Sequence, residues 1–351
     1  MARRRWTNDW ITALLIGAMA GCAEHPRAMA PPSPAPARLY VSNEGSGDIS
    51  VLDPLDGRLV GSFPVGKRPR GLRLTPDGRL LYAAVSGSAV SPPGSTVAPP
   101  PPDRSADGVV ELETETGRVL RTLPAGNDPE NLALTPDGLR LVVSNEEDGQ
   151  ASVIDLVSGK RVGTLPTGAE PEGVGCRPDG KAVYVTSEDE GTVTVIDPVA
   201  LKVLATFKAG QRPRSVVFTS DGRFAFVTAE QSRTVTWVDA QKHAVLGTLR
   251  IDGPQIKPMG IALTRDNRTL YVSTGRGGSV VAIDVERFQI TATYPNVGQR
   301  PWGVAVTSDG HRLFTANGPS NDVSIVDLPS GSLLQRVPAG THPWGLALFE
   351  P

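Results

Sequence analysis

A unit of about 42 residues recurs seven times along this chain, and two markers count it independently. An acid closes one short run of each unit, at Asp53, Glu113, Asp155, Asp197, Asp239, Asp284 and Asp327, with spacings of 60, 42, 42, 42, 45 and 43. A proline opens each unit, at Pro69, Pro129, Pro171, Pro213, Pro258, Pro301 and Pro343. The unit from Pro171 to Gly210 shows the internal order: four short β-rich runs separated by turn residues. Within one run, Val193, Val195 and Asp197 alternate with Thr192, Thr194 and Ile196. Period two is a strand signal and excludes the helical repeats of similar length. Pairs such as Asp179-Gly180, Asp221-Gly222 and Asp309-Gly310 supply the positive φ of tight hairpins. A small four-stranded sheet cannot bury both faces alone, so the units must stack on one another. The sequence therefore predicts an all-β fold, a seven-bladed β-propeller of four-stranded blades.

Ring closure follows from the template. The folded part enters at Arg38–Asn43, which corresponds to a second strand, and ends at Trp344–Phe349, which corresponds to a first. Blade one is thus predicted to be closed by the C-terminal strand, which removes the open sheet edges of a linear array. The propeller spans residues 38–351. The 60-residue spacing in blade two marks an insertion at residues 87–108, rich in proline at Pro92, Pro93 and Pro99 to Pro102. Such a segment is read first as a tolerated, loose surface loop.

Residues 1–22 read as a lipoprotein signal peptide. Arg3, Arg4 and Arg5 precede a ten-residue apolar run, Ile11 to Ala20, too short to span a bilayer. Met19-Ala-Gly-Cys22 resembles a lipoprotein processing box, which makes Cys22 the lipidated residue and residues 23–37 a Pro/Ala-rich tether. The expected location is the periplasm or cell surface, with the membrane reached through the lipid alone. The only other cysteine, Cys176, is then unpaired and reads as a small buried hydrophobe. A net charge of −2 gives no footprint for nucleic acid. With aromatics at 5%, the core is expected to be built from Val, Leu, Ile and Ala.

Strand alternation places the residues flanking each opening proline on one face. From these, a ligand-binding ring is expected at Arg68, Arg70, Glu130, Glu172, Arg212, Arg214, Lys257, Arg300, Trp302, His342 and Trp344. Loops after the second strands bring Asn43, Glu44, Asn145, Glu146, Ser187, Glu188, Glu230, Arg276 and Asn317 to the same face. The ring is acidic at blades three and four and mostly basic elsewhere. Arginine forks and indole faces suit a small planar anion. The competing reading is that these charges lock neighbouring blades together, for example Glu172 with Arg214. The acids repeated in every blade are expected to satisfy turn amides. No nucleophile motif, phosphate loop or metal-ligating cysteine or histidine cluster is present, so neither catalytic residues nor a metal site are expected.

Tyr40-Val-Ser-Asn43, Tyr184-Val-Thr-Ser187 and Tyr271-Val-Ser-Thr274 resemble the name motif of the YVTN β-propeller family, over residues 38–349. Gly66-Lys-Arg-Pro-Arg-Gly71, Glu170-Pro-Glu-Gly173, Gly298-Gln-Arg-Pro-Trp302 and Ala316-Asn-Gly-Pro-Ser-Asn-Asp322 are similar to the subgroup associated with pyrroloquinoline quinone (PQQ)-dependent catabolism. The blade-two insertion departs from that pattern. The resemblance implies a non-enzymatic binding or accessory lipoprotein for a periplasmic PQQ-dependent oxidation system, with PQQ or a periplasmic protein as its partner. One alternative is a metal-dependent, lactonase-like propeller hydrolase, in which Glu44, Asn145 and Asn317 would imitate a metal cup. Another is an envelope scaffold or adhesion protein.

Overall fold

The computed structural model describes residues 36–89 and 100–351. The signal peptide, Cys22 and nearly all of the tether lie outside the described residues. Among those described, no helix is long and apolar enough to cross a membrane.

Seven antiparallel sheets of four strands follow one another around a central axis, six of them with their strands in sequence order from inside to outside. Blade four is typical: Pro171–Cys176 innermost, then Val183–Ser187, Thr192–Asp197 and Lys202–Lys208 at the rim. Blade one is completed as expected. Its inner strand is Pro343–Phe349, paired antiparallel with Arg38–Asn43 so that Arg38 faces Phe349 and Val41 faces Leu346.

The middle strands are buried on both faces because each blade has two neighbours, while the rim strand, such as Lys202–Lys208, is largely exposed. In blade four, Val183, Val185 and Ile196 pack toward Val142, Ala151 and Val153 of blade three. The alternate positions, Tyr184, Val193 and Val195, pack toward Val216, Phe218 and Val227 of blade five. Period two thus separates two interfaces rather than core from solvent. The expected aliphatic core is supplemented by Tyr184, Phe226 and Phe314, all fully buried. The Tyr184 hydroxyl lies 2.8 Å from His243 Nδ1.

The repeated acids cap turns. Asp197 Oδ1 accepts from the amides of Val199 (2.9 Å) and Ala200 (2.8 Å), and Asp239 Oδ1 from Gln241 and Lys242, both at 3.0 Å. Glu113, with a longer side chain, instead accepts from the Thr116 hydroxyl at 2.6 Å. Cys176 is half-buried against blade three, and burial pushes its thiol up to about 12, as befits a packing residue.

The insertion leaves blade two between Leu80–Val85 and Gly108–Glu113. Its described ends are anchored rather than loose. Lys67 pairs with Asp103 at 2.7 Å, and Arg104 pairs with Asp107 at 3.1 Å and with Glu147 of blade three. Ser88 donates to Glu147 at 3.0 Å.

Candidate functional site

The upper mouth of the ring is built from a repeated local device. The residue before each opening proline adopts a left-handed backbone in six blades: Arg68, Asp128, Glu170, Arg212, Arg300 and His342, with φ between 44° and 53°. Non-glycine residues adopt this conformation only when their surroundings impose it, at a cost of about 1–3 kcal/mol each. In four of the six, a backbone bond from the residue after the second strand fastens it. Glu44 N donates to His342 O (2.9 Å), Glu146 N to Asp128 O (2.9 Å), Glu188 N to Glu170 O (3.0 Å) and Glu230 N to Arg212 O (2.8 Å). The same stitch gathers both sets of side chains at the axis.

They surround a funnel of about 530 Å3, a volume typical of small-molecule sites. Arg68, Arg70, Glu130, Glu172, Arg212, Arg214, Arg300, Trp302, His342 and Trp344 all line it, as do Glu44, Glu146, Glu188 and Arg276. Lys257 does not reach the funnel lining and sits 3.8 Å from Glu230.

Two arginines are committed to carboxylates. Arg70 is 3% exposed and grips Asp128 and Glu130. Arg214 is 7% exposed and bonds Glu172, Glu188 and Glu230, the last through Nε at 2.9 Å. Arg68 is held by Glu44 at 2.8 Å and by the Ser88 carbonyl at 3.1 Å, and Arg212 by Glu188. The blade-locking reading therefore holds for these four. Among the described residues, Arg276 and Arg300 have no carboxylate within ion-pair distance. Arg300 lies over Trp302, 4.8 Å from the ring centroid, and Trp302 packs against Trp344 at 5.5 Å.

The acids are unequal. Burial pushes Glu230 up, but Arg214, Arg212 and Lys257 outweigh it and hold it below the ordinary carboxylate range. Glu146 moves the other way. It is 3.7 Å from Arg70, whose charge Asp128 and Glu130 already claim. Burial, with Asp128 and Glu172 nearby, pushes Glu146 up to about 7 despite Arg70. A carboxyl poised near neutrality in a cleft has the properties of a general base.

Asp128, Glu130 and Glu146 also bring carboxylate oxygens within 4.8 Å of one another, a spacing that a divalent ion tolerates. Arg70 bonds two of the three, Asp128 and Glu130, and so competes with any ion for their oxygens. The asparagine cup does not form either. Asn145 and Asn317 turn their amides to Ser152 (3.0 Å) and Ser324 (2.9 Å) on the adjacent strands.

Comparison with known proteins supports the architecture. The chain is a seven-bladed β-propeller. A family model described as "Lactonase, 7-bladed beta-propeller" matches residues 198–340. Solved structures with the same fold include a periplasmic gluconolactonase of Pseudomonas aeruginosa, with TM-score 0.72, 22% identity, and coverage of 90% of this chain and 99% of that one. A putative 6-phosphogluconolactonase of Bacteroides fragilis gives 0.73, 20%, 92% and 100%, and Kuenenia stuttgartiensis hydrazine synthase gives 0.71, 21%, 83% and 92%. At such identities the likeness is one of fold. Antigen Lp49 of Leptospira interrogans is 31% identical over 126 residues, which is 33% of this chain and 25% of that protein. The chain spans about a quarter of that relative's length.

The match to the lactonase model overturns the expectation of a non-enzymatic accessory protein. The lactonase-like alternative is better supported. Sequence reasoning placed Glu146, Glu44, Glu188 and Arg276 on the correct face but left them out of the ring. The signal was an acid at one repeat position, directly after the second strand, in four blades: Glu44, Glu146, Glu188 and Glu230.

Proposed function

We propose that the chain is a lactonase-like hydrolase of small anionic lactones. The observation that carries this reading is Glu146, a carboxyl poised near pH 7 in a funnel whose opposite blades present the unpaired cations Arg276 and Arg300. The lactonase model match at residues 198–340 supports it.

In this mechanism Arg276 and Arg300 hold the substrate's anionic group, and the Trp302–Trp344 pair forms the apolar side of the funnel. Glu146, ionised, takes a proton from a water that attacks the lactone carbonyl carbon. The ring C–O bond breaks and the proton passes to the departing ring oxygen, so lactone and water become the hydroxy acid. PQQ, a planar tricarboxylate, suits the same cations and is a competitor for the funnel in this reading. Cys22 carries the lipid that holds the enzyme at the envelope. Replacing Cys22 with Ser should free the protein from membrane fractions, and equal retention would refute the anchor.

The reaction is tested by pH-stat titration of purified protein with glucono-1,5-lactone, its 6-phosphate and muconolactone, each corrected for spontaneous opening. Enzyme-dependent acid release with a preference for the charged lactones is expected. No release above background from any of them would refute the proposal.

A further inference from the structure

A second cleft, of about 450 Å3, opens beside the funnel between blade one and the described ends of the insertion. Glu44 and Arg68 line both cavities, so the two adjoin at that ion pair. Its chemistry differs from that of the funnel. Its cations are both paired: Arg68 with Glu44 at 2.8 Å and Asp128 at 3.8 Å, and Lys67 with Asp103 at 2.7 Å. The Lys67–Asp103 pair stands at the edge, with 59% and 44% of its side chains exposed, and can accept and donate hydrogen bonds there. Pro100 and Pro101 add a rigid apolar surface. Charge-paired polar edges and a C–H-rich wall suit a neutral, hydroxyl-rich ring, which has a polar rim and an apolar face. They do not suit a second anion, for which no unpaired cation is available.

We propose that this cleft is a subsite for a neutral sugar joined to the lactone, making a glycosylated aldonolactone a better substrate than the single ring. The proposal rests on the lactonase reading for the funnel. It also gives the insertion a role. Anchored through Asp103, Arg104 and Ser88, its described ends form the far wall of the cleft.

The test uses calorimetric binding of two product acids, gluconate and lactobionate, to the wild type, Ala89→Trp and Lys67→Ala. Turnover of the matching lactones is measured in parallel. Ala89 lines the cleft and not the funnel, so the indole fills the subsite alone. The wild type should bind lactobionate at least tenfold more tightly than gluconate. Ala89→Trp should remove that preference while leaving the gluconate Kd unchanged, and Lys67→Ala should reduce it at least threefold. Equal Kd values in the wild type, or a preference that survives in Ala89→Trp, overturns the subsite; should Ala89→Trp fail to fold, an unchanged preference in Lys67→Ala does so. Binding preference without turnover of these lactones or of the charged lactones above upholds the cleft and refutes the hydrolase reading. Turnover of gluconolactone without preference does the reverse. Binding of neither acid refutes the subsite.

Discussion

At the mouth of the funnel, a side chain's role depends on which charges reach it first. Arg70 and Arg214 are buried and saturated by carboxylates. Removing either would strand buried acids, so their loss should read as a folding defect. Arg300 has only an indole beneath it and is available to a ligand. We therefore expect Arg300→Ala to raise KM for an anionic lactone by at least tenfold, about 1.4 kcal/mol, with little change in melting temperature. Steady-state kinetics with a thermal melt checks this, and an unchanged KM contradicts it. From sequence, these arginines look alike because each flanks a proline at the same repeat position. What separates them is which acids reach them, Asp128 and Glu130 beside the next blade's opening proline for Arg70, and Glu172, Glu188 and Glu230 for Arg214, contacts between loops that the chain order does not display. Glu146 was hidden for the same reason. Its pKa is raised by burial and by Asp128 and Glu172, of which Asp128 lies on another loop of its blade and Glu172 on the next blade.

Single elements were far more legible. Each strand is set by local alternation and each hairpin by an acid or an Asp-Gly pair, both visible within a few residues. The turn acids are the clearest case. Asp197 takes two amides at the end of Thr192–Asp197 and shapes the hairpin into Lys202–Lys208. Asp197→Ala should cost about 1 kcal/mol, the usual value of such a side-chain cap. Chemical denaturation would register this as a lower midpoint with an unchanged slope, and an unchanged midpoint would show that the turn holds without the acid. The insertion was harder to read. Its proline content indicates an extended loop, but its anchorage depends on Lys67, Arg68 and Glu147 from separate segments.

For the whole molecule, seven copies of a unit of about 42 residues and the displaced first strand were enough to specify the ring, because a repeat that cannot bury its faces alone has few ways to close. The C-terminal strand lies between two interfaces. Ala347 and Phe349 pack toward blade two, and Leu346 and Leu348 toward blade seven. Deleting residues 344–351 should expose both, and at roughly 25 cal/mol per Å2 of apolar area the loss should exceed the marginal stability of a domain. We expect loss of the cooperative melt by circular dichroism. A truncated protein melting at the original temperature would disprove closure by this strand. The function of the ring was not legible at this scale, since blades of one shape carry different chemistry on their upper loops.

The central claim, that a carboxyl held near neutrality at Glu146 drives lactone opening, is tested most directly by the pH dependence of kcat/KM in the wild type and Glu146→Gln. Because the ionised form acts as base, the wild-type rate should be low below pH 6, rise through about 7 and level off above it. The variant should lose roughly 10²- to 10⁴-fold at the plateau and lose the limb near 7, while remaining folded. A variant with wild-type rate, or a wild-type profile with no ionisation near 7, would contradict the account.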